Sequence, residues 1–242
     1  MNTRAEVEPQ HVNQALIRRG SEARALTAPQ LQARRIVAHD MPDSRPADAF
    51  RDLRTQLLAR VGGGGLSLLV VPVAHGSGGS FVSINLASAI AFDERRTVIL
   101  VDCCLRAPAL HARVGVSADA FGLADFLEGR VDRIEQVLHA TGIPRVLLVP
   151  AGPRREASGD LLGSARMRLL LDSLRGVGSN VAVVLDAPAV AASPDARILS
   201  GMAELSVLVA GYGRDTPTAV QESIGVLDRV RLAGVVFNRV PA

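Results

Sequence analysis

Along most of the chain, continuous aliphatic runs alternate with segments whose apolar residues recur at helical spacing. Leu66 to Val73, Val98 to Val101, Arg145 to Val149, Val181 to Leu185, Leu205 to Ala210 and Leu232 to Phe237 read as strands. Helical patterns lie between them, from about Ser80 to Phe92 and near 160–175, 194–202 and 216–230. Strands that lack polar alternation are buried on both faces, and helices between them make the strands parallel. The pattern predicts an α/β fold, a mostly parallel sheet with helices on both faces. Ahead of the first strand, Phe50, Leu53, Leu57 and Leu58 mark a helix from Asp48 to Arg60, and Gly62 to Gly65 break it into a flexible joint. Residues 1–46 are rich in Arg, Gln, Pro and Ala, with one short amphipathic stretch from Leu31 to Val37. They read as a flexible or partner-dependent extension, which sets the expected domain at 47–242.

Composition narrows the function classes. A chain of 242 residues with 48% hydrophobic content can fill a large core. Its longest apolar run, Leu66 to Ala74, is far below the roughly 20 residues of a membrane span. The charged N-terminus, with Arg4, Glu6 and Glu8, lacks the apolar stretch of a secretory signal. A cytoplasmic protein is therefore expected, recruited to the inner membrane only by a partner. Adjacent Cys103 and Cys104 cannot staple a fold. A net charge of +3, one Tyr and no Trp offer little for stacking on bases, so nucleic-acid binding is not expected. All 27 basic residues are arginine; the chain has no lysine.

The segment Val73-Ala-His-Gly-Ser-Gly-Gly-Ser-Phe81 joins a buried strand to a helix, where backbone N–H groups can surround a phosphate. Gly76, Ser77, Gly78, Gly79, Ser80 and Phe81 are the candidate nucleotide-binding residues. A working loop of this kind ends in Gly-Lys-Ser/Thr, with the lysine on the β- and γ-phosphates and the hydroxyl on Mg²⁺. Here Gly79 stands at the lysine position and Ser80 keeps the hydroxyl. A Gly-rich strand-to-helix turn need bind nothing, so spacing alone leaves both readings open.

Several motifs in register carry more weight. Asn85-Leu-Ala87, Val98-Ile-Leu-Val-Asp-Cys-Cys-Leu-Arg106 and Val183-Val-Leu-Asp-Ala-Pro188, with Phe121-Gly-Leu123, Val149-Pro-Ala-Gly152 and Asp160 to Met167, resemble the cytoplasmic domain of bacterial tyrosine kinases. These kinases regulate exopolysaccharide and capsule chain length, and their P-loop fold is related to partition ATPases. The resemblance implies ATP or ADP with Mg²⁺ as cofactor, and Ser80 and Asp102 as metal ligands. Asp102 and Asp186 are remnants of the catalytic acids. It also implies a second carboxylate where Cys104 stands, and a thiol is a poor partner for Mg²⁺. Asp186 also suits a turn-capping role, and Arg106 suits a structural ion pair as well as a phosphate contact. The cysteine pair lacks a third Cys or a nearby His to complete a soft-metal set, which favours a packed strand end.

Phosphoryl transfer rests on positioning and charge, so each missing group would cost roughly 3 kcal/mol or more, and together on the order of 10⁴-fold in rate. The expectation is a catalytically degenerate scaffold or regulator of exopolysaccharide assembly and export. The alternatives are a divergent active ATPase or tyrosine autokinase, and a partition-type positioning ATPase. The tyrosine-rich acceptor tail implied by the resemblance is expected to be depleted too, since Tyr212 is the lone tyrosine. Asp48, Arg51 and Arg54 resemble the family's Glu-x-x-Arg-x-x-Arg helix, which packs between subunits; a solvated helix face is the plainer reading. The partners expected are a membrane chain-length protein and a second copy of the chain. Restoring Gly79→Lys and Cys104→Asp together is expected to raise ATP affinity.

Overall fold

Strand β1 (Leu66–Pro72) is buried along its whole length. Alternate residues feed opposite faces of the sheet: Leu69 and Val71 join one core, Leu68 and Val70 the other. Each such side chain contributes about 1.5–3 kcal/mol by leaving water. That two-sided burial is why the run shows no polar alternation.

The computed structural model describes residues 25–41, 45–61 and 66–240, together with Val12, Gln14 and Leu16. After α1 (Ala28–Ala33), α2 (Arg45–Leu58) and β1 come α3 (Gly79–Ile90), β2 (Thr97–Asp102), α4 (Leu110–Val114) and α5 (Leu123–Leu127). Next are β3 (His139–Ala140), β4 (Val146–Val149), α6 (Ser158–Leu162), α7 (Ala165–Gly176) and β5 (Val181–Asp186). The chain finishes with α8 (Asp195–Ser200), β6 (Leu205–Gly211), α9 (Pro217–Val226) and β7 (Leu232–Asn238). The sheet runs β3-β4-β2-β5-β1-β6-β7. Only β3 is antiparallel. The carboxyl ends of β1, β2 and β5 thus meet at one edge, where open α/β sheets place their ligands.

The six expected strands and the fold class are as the sequence predicts. The segment near 160–175 is two helices, because Gly163 and Ser164 interrupt it and the Ser164 hydroxyl accepts from the Met167 N–H. The last helix stops at Val226 instead of 230, where Leu227 turns extended. Two-residue β3 and five-residue α4 and α5 are too short to carry a period. No helix among the described residues is long and apolar enough to cross a membrane.

Part of the expected N-terminal extension lies against the domain. Leu31, Ile36 and Val37 are buried, and Leu31 and Ile36 share a core with Leu57 and Leu66. The physical reason is polar as well as apolar. The Val37 N–H donates to Asn85 Oδ1 at 2.7 Å, Asn85 Nδ2 donates to the Arg35 carbonyl at 3.1 Å, and Ser88 Oγ donates to the Val37 carbonyl at 2.7 Å. Two polar residues on α3 therefore hold residues 35–37 as an extra strap. Of the expected extension, residues 1–11, 13, 15, 17–24 and 42–44 lie outside the described residues, as does the glycine joint at Gly62–Gly65.

Asn85→Ala is expected to destabilise the domain by about 1–3 kcal/mol, because it leaves the buried Val37 N–H without an acceptor. Urea unfolding and amide exchange of residues 35–37 check this; unchanged protection there would show that apolar packing alone holds the strap.

Candidate functional site

The Gly-rich loop after β1 does close into a phosphate-loop-like turn, and α3 starts at Gly79 as that topology requires. Gly76 and Gly78 have φ of +88° and +102°, which only glycine adopts at little cost. Inside the turn, the Ala74 N–H donates to Ser77 Oγ at 3.1 Å, and the Ser77 N–H donates to the Ala74 carbonyl at the same distance. The first-turn N–H groups of α3, at Gly79, Ser80 and Phe81, are those a phosphate would take.

Two residues from the far side of the sheet lie over this loop. Asn238 Nδ2 donates to the Ser77 carbonyl at 3.0 Å, and a Cβ on Gly78 would fall 1.9 Å from that nitrogen. Arg214 Nη2 donates to the His75 carbonyl at 3.1 Å and stands 3.0 Å from where a Cβ on Gly76 would lie. Neither residue is signalled by spacing, since they follow β6 and end β7. At the lysine position, a Cβ on Gly79 would sit 2.7 Å from Cδ and 2.8 Å from Cγ of Pro72. The proline ring fills the space that a side chain at 79 would need first. The expected rescue by Gly79→Lys with Cys104→Asp therefore meets an obstacle, the rigid ring one strand residue before the loop.

Asp102 and Asp186 end neighbouring strands in register. Both are buried. Asp102 accepts from the Cys104 N–H at 3.0 Å through Oδ1, and from the Ala109 and Leu110 N–H groups at 3.3 and 3.1 Å through Oδ2. It fastens the turn between β2 and α4. Asp186 accepts from Ser80 Oγ and Ser83 Oγ, each at 2.7 Å. Burial pushes the Asp102 carboxyl up, offset in part by the backbone N–H groups of Leu110, Cys104 and Ala109. Burial, followed by the charge of Asp102, pushes Asp186 up to about 7, against the two serine hydroxyls. The Cys104 thiol is held well above its usual range by burial, then by Asp186 and Asp102. Its Sγ lies 3.8 Å from the Asp186 carbonyl.

The donor set does not fit Mg²⁺. That cation wants near-octahedral oxygen ligands, and the third position of the cluster is sulfur. Ser80, expected as a metal ligand, instead donates its hydrogen bond to Asp186. Phe81 packs edge-on against Phe50, with ring centroids 6.0 Å apart, and is part of the α2–α3 contact. Arg106 forms no ion pair among the described residues: its Nε donates to the Glu156 carbonyl and to Ser158 Oγ, both at 3.0 Å. Ser158 in turn donates to Asp195 Oδ2 at 2.6 Å.

The helix expected at a subunit interface is α2. Arg51 donates to Asp48 at 2.6 Å and to the His39 carbonyl at 3.0 Å, and its guanidinium lies over the Phe92 ring. Arg54 Nη1 donates to the Ala89 carbonyl at the end of α3 at 3.0 Å. Leu57 is buried, and Phe50 and Leu53 pack against the same core. Both arginines and the apolar stripe thus serve the domain itself, and reversing the charges of Arg51 and Arg54 removes internal hydrogen bonds.

The other family motifs have structural roles. Gly122 passes so close to the Gly152 backbone that a Cβ there would fall 2.4 Å from the Gly152 N. Arg166 donates to the Phe126 and Val131 carbonyls and lies over the Phe126 ring.

Two outcomes are expected from this geometry. Gly79→Ala should destabilise by about 1–3 kcal/mol, opposite in sign to the usual gain of about 1 kcal/mol for this change in a helix, and Pro72→Ala should relieve the loss. Urea titration of both variants checks it, and a stabilised Gly79→Ala would contradict it. The second concerns pH. Because the folded-state value of Asp186 lies above its unfolded value of 3.8, the folded form keeps a proton that the unfolded chain releases. Stability present at low pH is thus lost as pH rises from about 4 to 7, by on the order of 4 kcal/mol. Asp186→Asn should flatten that slope in chelator-containing buffer; an unchanged slope would assign it to other groups.

No family model matches the chain. Over 206 residues it is 35% identical to EpsB of Ralstonia solanacearum, covering 84% of this chain and 27% of that one. It is 30% identical over 209 residues to the tyrosine-protein kinase Wzc of Salmonella typhimurium, covering 85% and 28%. The chain thus spans about a quarter of the length of these relatives. The kinase domain of the Escherichia coli tyrosine kinase ETK superposes with a TM-score of 0.72 at 25% identity, covering 90% of this chain and 91% of that one. The cell-division ATPase MinD of Pyrococcus furiosus shares the fold, with a TM-score of 0.58 at 24% identity over 72% and 70% of the two chains. Sequence and fold agree, and the chain belongs with the bacterial tyrosine-kinase domains of the P-loop NTPase class.

Proposed function

We propose that this domain is a catalytically degenerate member of its family, acting as a scaffold or regulator in exopolysaccharide synthesis and export. The observation that carries this reading is the Pro72 ring packed into the space above Gly79. Position 79 carries no lysine, and the ring takes the room that one would need. The sulfur of Cys104 in the metal-facing cluster and the engagement of Ser80 with Asp186 support it. A domain that keeps its core, its sheet edge and its family motifs while losing these groups is suited to contacts more than to turnover. The partners proposed are a membrane chain-length protein and further copies of the chain, with the exposed side of α2 near Asp48 as one contact region.

A second reading has its own support. Arg214 brings a guanidinium against the loop, the one cationic side chain hydrogen-bonded to it among the described residues. A divergent ATPase or tyrosine autokinase would use that charge in place of the lysine, since arginine binds phosphate oxygens bidentately.

Purified protein with ATP and Mg²⁺ is expected to show no tyrosine phosphorylation and no hydrolysis above a boiled control. Sustained turnover lost in Arg214→Ala would establish the second reading. Turnover lost in Asp102→Ala but not in Arg214→Ala would overturn both the scaffold and the arginine-replacement account.

A further inference from the structure

The cysteine pair lacks a sequence neighbour to complete a metal set, but the fold supplies one. One ligand atom from each of Asp102, Cys104 and Asp186 lies within 4.8 Å of the other two. We propose that these three residues bind one divalent cation of the thiophilic, Zn²⁺-like class at the carboxyl ends of β2 and β5. The proposal rests on this chain's own donor set, and stands whether the domain is a scaffold or an enzyme.

Three observations carry it. Tetrahedral sites with bonds of about 2.0–2.3 Å need ligand atoms roughly 3.3–3.8 Å apart, so the cluster closes around an ion with side-chain shifts of about 1 Å. Two buried carboxylates face one another in register, and every hydrogen bond either receives comes from a backbone N–H or a serine hydroxyl, none from a cationic side chain. A divalent cation there neutralises both carboxylates once they are ionised. Cys104 is the most accessible of the three, so the site opens to solvent on the sulfur side. One sulfur with two carboxylates selects Zn²⁺, Co²⁺ or Cd²⁺ over Mg²⁺. Binding releases the Cys104 thiol proton to solvent, and leaves the fourth position to water.

Co²⁺ titration of the intact protein is the test, because Co²⁺ takes Zn²⁺ sites and shows a near-ultraviolet thiolate charge-transfer band. Expected are that band at one ion per chain, its displacement by Zn²⁺, and no displacement by excess Mg²⁺. Cys104→Ser should lose the band and weaken binding by on the order of 100-fold, while Cys103→Ser keeps both. Should Cys104→Ser fail to fold, Cys104→Asp provides the second arm: it should bind Mg²⁺ or Mn²⁺ and lose the preference for Zn²⁺. Saturating Co²⁺ without the band, a Cys104→Ser protein that binds like the parent, or Mg²⁺ competing as well as Zn²⁺ would each overturn the proposal.

Discussion

The parallel register of β2 and β5 sets Asp102 beside Asp186, and much of the neighbouring structure answers that placement. Two carboxyl groups buried side by side must be hydrogen-bonded by something. Asp102 takes three backbone N–H groups and so shapes the turn into α4. Asp186 takes the hydroxyls of Ser80 and Ser83, which seats the first turns of α3 on β5. The same helix reaches back through Asn85 and Ser88 to hold the strap at residues 35–37. One electrostatic constraint thus links the sheet edge, the phosphate-type loop and the N-terminal segment.

The loop itself keeps its backbone shape and loses its charge. Glycines at positive φ and a helix N-terminus remain, while Pro72 takes the room above Gly79, and Arg214 and Asn238 brace the outer side. The loop carbonyls at His75 and Ser77 are hydrogen-bonded to Arg214, just after β6, and Asn238, at the end of β7, which makes the loop part of the packing of the sheet's far edge.

Most of the architecture was legible because the parallel strands are continuous aliphatic runs and the long helices have clear periods. The fold class, the six strands and the two acid-bearing positions, Asp102 and Asp186, followed from residue patterns and family motifs. The obscure parts were short or set by tertiary contact. Two residues of β3 carry no period, and the packing of Ile36 and Val37 depends on Asn85, about fifty positions away. The phosphate-loop contacts escaped for the same reason: Asn238 and Arg214 come from distant chain, and the meaning of Pro72 appears only when its ring is seen against Gly79. Cys104 looked incomplete as part of a metal set because Asp186 reaches it from the neighbouring strand β5, more than eighty positions away.

The contact between Pro72 and Gly79 also orders the history open to this sequence. A mutation that returned lysine at 79 would enter a background where its first carbon collides with the proline ring, so selection would meet a damaged fold before any recovered chemistry. Replacement of Pro72 has to come first, and by itself it gains nothing at the phosphate. Return to a lysine at 79 therefore takes two changes in a fixed order, the first of which adds no contact to a phosphate.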